Sequence, residues 1–348
     1  MSAGKNVLRR AASAVISASY NQGGQTVTYP GDAFHVHDDF EFLEQYQFDG
    51  ARAGTAAGSS VQLRDAKAGR FLDVELAHRV RPGGAAYSAS VVPTIDRWLR
   101  AHGMTKTLVT TVGSESVTYK AFTDGTWESL YGELYAGKDL GVYTGGYVYK
   151  WVHTAADLGV PVFAFNLKAT MTNRISDAAV PTISAYPNAN VAHPKGAGST
   201  LTINANSNGA FQGKVRSATL TSERSIDDRQ GQSETVMGST ASGHAGFQLG
   251  RYTQTLEITV ESTATRAANY SSATLLDPER CAEEATPCAI AYQVGLTQYN
   301  RYKFTSSNWA QIVEAKRDKA GAIRLWNLTI QLTPSSEVND DGLSVVFD

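Results

Sequence analysis

A chain of 348 residues can hold one large β-rich domain or two ordinary ones, and either would bury enough core to stand without metals or disulfides. Charged residues make up only 18% and the net charge is −2, which excludes many long solvated helices and a basic footprint for nucleic acid. No apolar run reaches the roughly 18 residues of a membrane span, and the Thr, Ser, Tyr, Val and Gly usage is that of strands.

The N-terminus, "MSAGKNVLRRAASAVISASY", imitates a signal peptide, but serines interrupt its apolar part and leucine is missing from it. Synthesis in the cytosol is the expectation, with residues 1–20 as an N-terminal helix or arm. Val7, Leu8, Ala11, Ala12 and Val15 stand at helical spacing and predict a short helix over 5–17. After the glycine-rich "NQGGQ" the period changes to two. In "GDAFHVHDDFEFLEQYQF" (31–48), an extended chain puts His35, His37, Asp39 and Glu41 on one side. Geometrically His35, His37 and Glu41 could hold a metal, as the first motif of a cupin-type β-barrel enzyme does. The same alternation describes a strand with one side in water. A second histidine motif in a Gly/Pro-rich turn is missing, and among the other histidines His102 reads as an imidazolium at a helix C-terminus. The wet-face reading is preferred.

"RFLDVELAH" places Leu72, Val74 and Leu76 on one side of a second strand, with Asp73 and Glu75 on the other. "SVVPTIDRWLRAHG" predicts a helix, with Pro93 in its first turn, Ile95, Trp98 and Leu99 as the buried stripe and Gly103 as its stop. "VTYKAFTDGTWESLYG" reads as two arms of a hairpin turning at Asp124-Gly125. "YVYKWVH" and "PVFAFNLKAT" follow as strands, and the turn-rich stretch 180–199 is the boundary expected between two halves, about 21–180 and 200–348.

Beyond it come "TLTINA", "GKVRSATLTSE", "RYTQTLEITVES", "IRLWNLTIQLT" and "LSVVF". In the third of these Leu256, Ile258 and Val260 alternate with Thr255, Glu257 and Thr259, the mark of antiparallel sheets with one dry and one wet face. Residues 264–300 break this rhythm and read as an insertion. They carry the two cysteines, Cys281 and Cys288, with six residues between them, which fits neither a redox pair nor half a zinc knuckle; separate thiols are preferred over a small loop disulfide. The acidic pairs, such as Asp227-Asp228 and Glu283-Glu284, read as solvated edges. No P-loop, Rossmann fingerprint, nucleophile elbow or H-E-x-x-H stretch occurs.

Three stretches, in their order, resemble the major tail tube proteins of long-tailed, siphovirus-like bacteriophages: "VVPTIDRWLRAHGM", "ATLTSERSIDDRQG" and the ending "IQLTPSSEVNDDGLSVVFD". The resemblance implies a mainly β fold, an antiparallel sandwich or barrel with a flanking α-helix. It implies hexameric rings stacked into a conduit for genome ejection. It further implies a structural virion protein without catalysis or cofactor, assembled in the host cytoplasm. Its partners would be other copies of itself, the tape-measure protein, the tail terminator, the distal tail or baseplate proteins, and passing double-stranded DNA. Asp73, Glu75 and Glu257 are candidates to line the lumen. The alternatives from other classes are the cupin-like enzyme and a carbohydrate-binding β-sandwich of a virion.

Overall fold

The computed structural model describes residues 10–17, 25–28, 33–34, 43–49, 52–54, 60–62, 66–121, 127–136, 139–156, 159–175, 177–179, 199–205, 209–235, 242–261, 278–336 and 341–348. The architecture is antiparallel β almost throughout, as the alternating segments require. The chain opens with β1 (Arg10–Ser13), β2 (Val15–Ile16), β3 (Ala33–Phe34), β4 (Leu43–Asp49), β5 (Arg52–Gly54) and β6 (Ser60–Gln62). Then come β7 (Ala66–Arg79), the helix α1 (Asp96–Ala101), β8 (Met104–Val109), β9 (Ser116–Ala121) and β10 (Leu130–Ala136). Two long strands follow, β11 (Asp139–Ala156) and β12 (Val162–Ile175), then β13 (Ser199–Ala205), β14 (Gly209–Thr235) and β15 (Ser242–Glu261). The last part holds α2 (Pro278–Glu283), β16 (Pro287–Val294), β17 (Tyr302–Thr305), β18 (Ala310–Ala320), β19 (Ile323–Gln331) and β20 (Ser344–Phe347).

Pairing arranges most of these strands in two layers, with β5 and β6 apart as a two-stranded sheet. The first runs β4-β7-β12-β11-β14-β15-β19-β18. The second begins with the start of β14 and runs through β13-β16-β17-β20-β9-β8. β14 serves both layers: Gly209 to Gly213 pair with β13, and from Lys214 onward the strand pairs with β15. Each layer turns its apolar side inward. Leu72, Val74, Leu76, Trp151, Phe163, Phe165, Leu256, Ile258 and Leu328 from the first meet Val117, Tyr119, Ile203, Tyr292, Tyr302, Phe304 and Phe347 from the second, all in one buried cluster. Aromatic rings bridge the layers, Trp151 stacking on Phe304 at 6.4 Å between centroids. The strands on either side of 180–199 therefore share one core, stitched directly by the β11–β14 ladder.

The helix lies where the sequence puts it but is shorter, because Pro93 and Thr94 form a turn in which the Asp96 amide donates to the Pro93 carbonyl at 2.9 Å. Ile95, Trp98 and Leu99 are buried, and Trp98 packs on Phe165 at 5.7 Å. Gly103 ends the helix with φ +80, a conformation that costs glycine nothing. Asp96, itself buried, accepts from the Tyr119 hydroxyl at 2.6 Å and pairs with Lys106 at 3.0 Å, tying the helix to β8 and β9.

Three expectations are corrected. Residues 10–13 and 15–16, within the stretch expected to be helical, are strands that pair with β10; residues 5–9 lie outside the described part. The helical spacing of a few small residues loses to a ladder that a distant strand supplies. The turn expected at Asp124-Gly125 lies outside the described residues, and its two arms do not pair with each other: β9 pairs with β8 and β20, whereas β10 pairs with β1, β2 and β11. Finally, 287–294, within the stretch 264–300 expected to break the strand rhythm, is a regular interior strand of the second layer between β13 and β17, while residues 264–277 lie outside the described part. Cys281 and Cys288 are both buried and not joined by a disulfide, and the Cys288 thiol donates to the Ala310 carbonyl at 3.2 Å. Burial pushes the Cys288 thiol up to about 12, with the neighbouring Cys281 adding to it, which keeps it protonated and unreactive.

Candidate functional site

The wet face of the first layer runs from β7 to β18, and it is built by register. Along β7 residues alternate sides, so the burial of Leu72, Val74 and Leu76 turns Asp73 and Glu75 outward. Glu75 stands opposite Asn166 of β12, Asn166 opposite Lys150 of β11, Lys150 opposite Glu223 of β14, and Glu223 opposite Thr253 of β15. Nearer the other end of the strands a second row runs Thr154, Thr219, Glu257, Thr329 and Glu314. Between them lie Thr221, Thr255, Gln331 and Gln311. Ala77, Ala164, Val152 and Val162 are the small apolar members on the β7 side.

Asp73, Glu75 and Glu257 therefore share one face of one sheet. Glu75 and Glu257 are separated by four strand spacings, roughly 20 Å at the usual inter-strand distance. The residues between them are not legible in the sequence: period two shows which side chains of a strand share a side, but not which strand lies next to which.

Hydrogen bonds and ion pairs within the face hold its side chains to one another. Asn166 Nδ2 donates to Glu75 at 3.1 Å, Lys150 Nζ lies 3.3 Å from Glu223, and the Thr259 hydroxyl donates to Asn327 Oδ1 at 2.9 Å. The Tyr149 hydroxyl donates to Asp73 at 3.1 Å; burial, then the Asp73 charge, push its pKa up to about 12, so it keeps the proton it donates. Asp73, Glu75, Glu223, Glu257, Glu314 and Asp318 stand with Arg79, Lys150, Lys168 and Lys316, and the rest is mainly Thr, Ser, Asn and Gln. Such a surface is polar, close to neutral and weakly acidic. Its chemistry is hydration: it offers no concentrated positive charge to a polyanion.

The metal candidates His35, His37 and Glu41 lie outside the described residues, as does His193. Among the described residues no three His, Cys, Asp or Glu side chains are grouped to hold an ion. The histidines whose side chains are described are core groups. His78 Nε2 lies 2.7 Å from the Thr94 hydroxyl, and His153 Nε2 lies 2.6 Å from the Tyr302 hydroxyl inside a box of Phe163, Tyr292 and Phe304.

His102 overturns its reading as a helix-terminal imidazolium. It is 1% exposed; Nδ1 lies 2.8 Å from the Val148 carbonyl, as a donor must, and Nε2 lies 2.9 Å from the Ser222 hydroxyl and accepts from it. Burial, then the nearby Arg224 charge, push its pKa down to about 3, so the ring is neutral. Desolvation outweighs the fraction of a charge that a helix of six residues offers.

A cleft of about 400 Å³ opens between the end of α1 and β8, lined by Arg100, Met104, Lys106, Trp127 and Glu128 among others. Its cations already have partners, Arg100 with Asp96 and Glu128 and Lys106 with Asp96. Among the described residues no helix is long and apolar enough to cross a membrane. The chain matches no protein-family model and none of the curated proteins with which it was compared.

Proposed function

We propose that this chain is a structural subunit of the tail-tube type, whose copies join laterally into rings and stack into a conduit that double-stranded DNA traverses. The observation that carries this is the continuous wet face from β7 to β18, backed by a dry face on the other layer. A surface of this breadth, with no convergent ligand site among the described residues, suits a lining better than a pocket. Duplex DNA carries a charge about every 1.7 Å, and a lysine-rich wall would bind it by counterion release and hold it. A near-neutral wall of hydroxyls, amides and scattered carboxylates lets it slide. The curled antiparallel sheet and its flanking helix agree with the fold that the resemblance implies. Six copies closing their sheets into a ring would also remove strand edges that otherwise invite aggregation.

Negative-stain microscopy of the purified chain over a range of concentrations tests this directly. Rings or tubes with a central bore are expected. A chain that stays monomeric at high concentration, with a tail terminator or tape-measure partner supplied, would sink the proposal.

A further inference from the structure

Beyond Arg224 the β14–β15 hairpin changes direction. Arg224 pairs with Tyr252, but the next matched pair is Ile226 with Leu249, so Gly250 and Arg251 oppose the single residue Ser225. This is a β-bulge, and such bulges bend a ladder. A Cβ on Gly250 would lie 2.1 Å from the exposed Ser225 hydroxyl, so the two strands approach closely at the bulge. The bent arm packs back on the polar side of the first layer, as Phe71, Asp73 and Glu75 share one side of β7. Phe247, 1% exposed, meets the Phe71 ring edge-on at 6.3 Å, and Lys168 Nζ sits 5.1 Å from the Phe247 ring.

Arg224 occupies the bend. It is 3% exposed, and its guanidinium donates to the Gly250 carbonyl at 3.2 Å and to the Gly103 carbonyl at 3.3 Å. Trp127 and Tyr252 lie against it at 5.6 and 5.0 Å. A Cβ on Gly103 would stand 3.2 Å from the guanidinium, so the end of α1 leaves room for this group. One planar cation thus ties the inside of the bulge to the helix terminus and lies against two rings, a task for which lysine's single ammonium is unsuited.

We propose that Arg224 is the pin that sets the direction of the β14–β15 arm and holds it over Phe71 and Lys168. It acts as a positioning residue for the surface that other copies meet, and only this last consequence rests on the tube reading. Hydrogen–deuterium exchange on the full chain tests the pin. In Arg224→Ala the amides of 226–235 and 242–249 should exchange at least about tenfold faster, while those of 217–223 and 253–260 keep their protection. Arg224→Lys should shift the same amides in the same direction, and it covers the case in which the alanine variant does not fold. Unchanged arm exchange would overturn the proposal. So would arm and core exchange rising together, or loss of fold in both variants, because Arg224 would then serve general stability alone. Microscopy of the same samples separates the two proposals. If wild type forms tubes, the variants should form fewer or irregular ones. If wild type forms none, the tube reading fails while the exchange result still decides the pin.

Discussion

His102 and His153 are enclosed in the core as neutral rings, each with a pKa pushed from the ordinary 6.5 down to about 3, by burial first of all. An unfolded chain takes up these protons near pH 6.5, and the folded chain resists them until about pH 3. Their depressed values mean that stability is whole above about pH 6.5 and is lost progressively as the pH falls towards 3. Replacing His153 with Phe removes one of these protons and should flatten the fall in urea midpoint between pH 7 and pH 4. An equal fall in variant and wild type would show that His153 is no source of acid sensitivity. At pH 7 the same variant leaves the Tyr302 hydroxyl without the ring nitrogen it now faces, a cost of about 1–3 kcal/mol. Gly132 is as tightly held: a Cβ there would lie 2.1 Å from the Ser13 carbonyl oxygen, a backbone atom. Gly132→Ala should therefore lower stability by about 1–3 kcal/mol, read as a drop in thermal midpoint.

At the scale of elements, α1 shows how little a short helix owes to its own propensity. Six residues are too few to be stable alone, so its free energy comes from the faces it buries. Trp98 is 1% exposed against Phe165, and Trp98→Ala should cost about 3–5 kcal/mol in urea unfolding. A loss below about 1 kcal/mol would mean that the neighbouring side chains collapse into the space. The N-terminal strands depend on the same neighbourhood. Arg97 donates to the Ala14 carbonyl at 2.5 Å, and Tyr143 to the Ser13 carbonyl at 2.9 Å, so the chain there is pinned as an extended ribbon between helix and sheet.

For the whole molecule, the division into a dry interior and a broad wet face leads to a test of charge. Glu75→Lys combined with Glu257→Lys reverses two exposed carboxylates on the polar face and touches no core group. Each change should alter stability by no more than about 0.5 kcal/mol. The double variant should nonetheless retard duplex DNA in a low-salt gel shift, with the binding disappearing as salt rises, whereas wild type should not. A double variant that ignores DNA at low salt would count against this face as the path of a nucleic acid.

What local order determined can be seen in the strands themselves. Leu72, Val74 and Leu76 against Asp73 and Glu75, or Leu256 and Ile258 against Glu257, declare their sides because successive residues of an extended chain must point opposite ways. The sites of α1 and its Gly103 stop were legible for similar reasons, since helix spacing and glycine's tolerance of positive φ act within a few residues. Only the tertiary structure decided which wet sides join into one face, that residues 10–16 extend beside β10, that β16 is an interior strand, and that His102 is neutral. Those outcomes depend on partners as far away as Ser222 and Arg224. Neither ladder register nor loss of water is a local property of the chain.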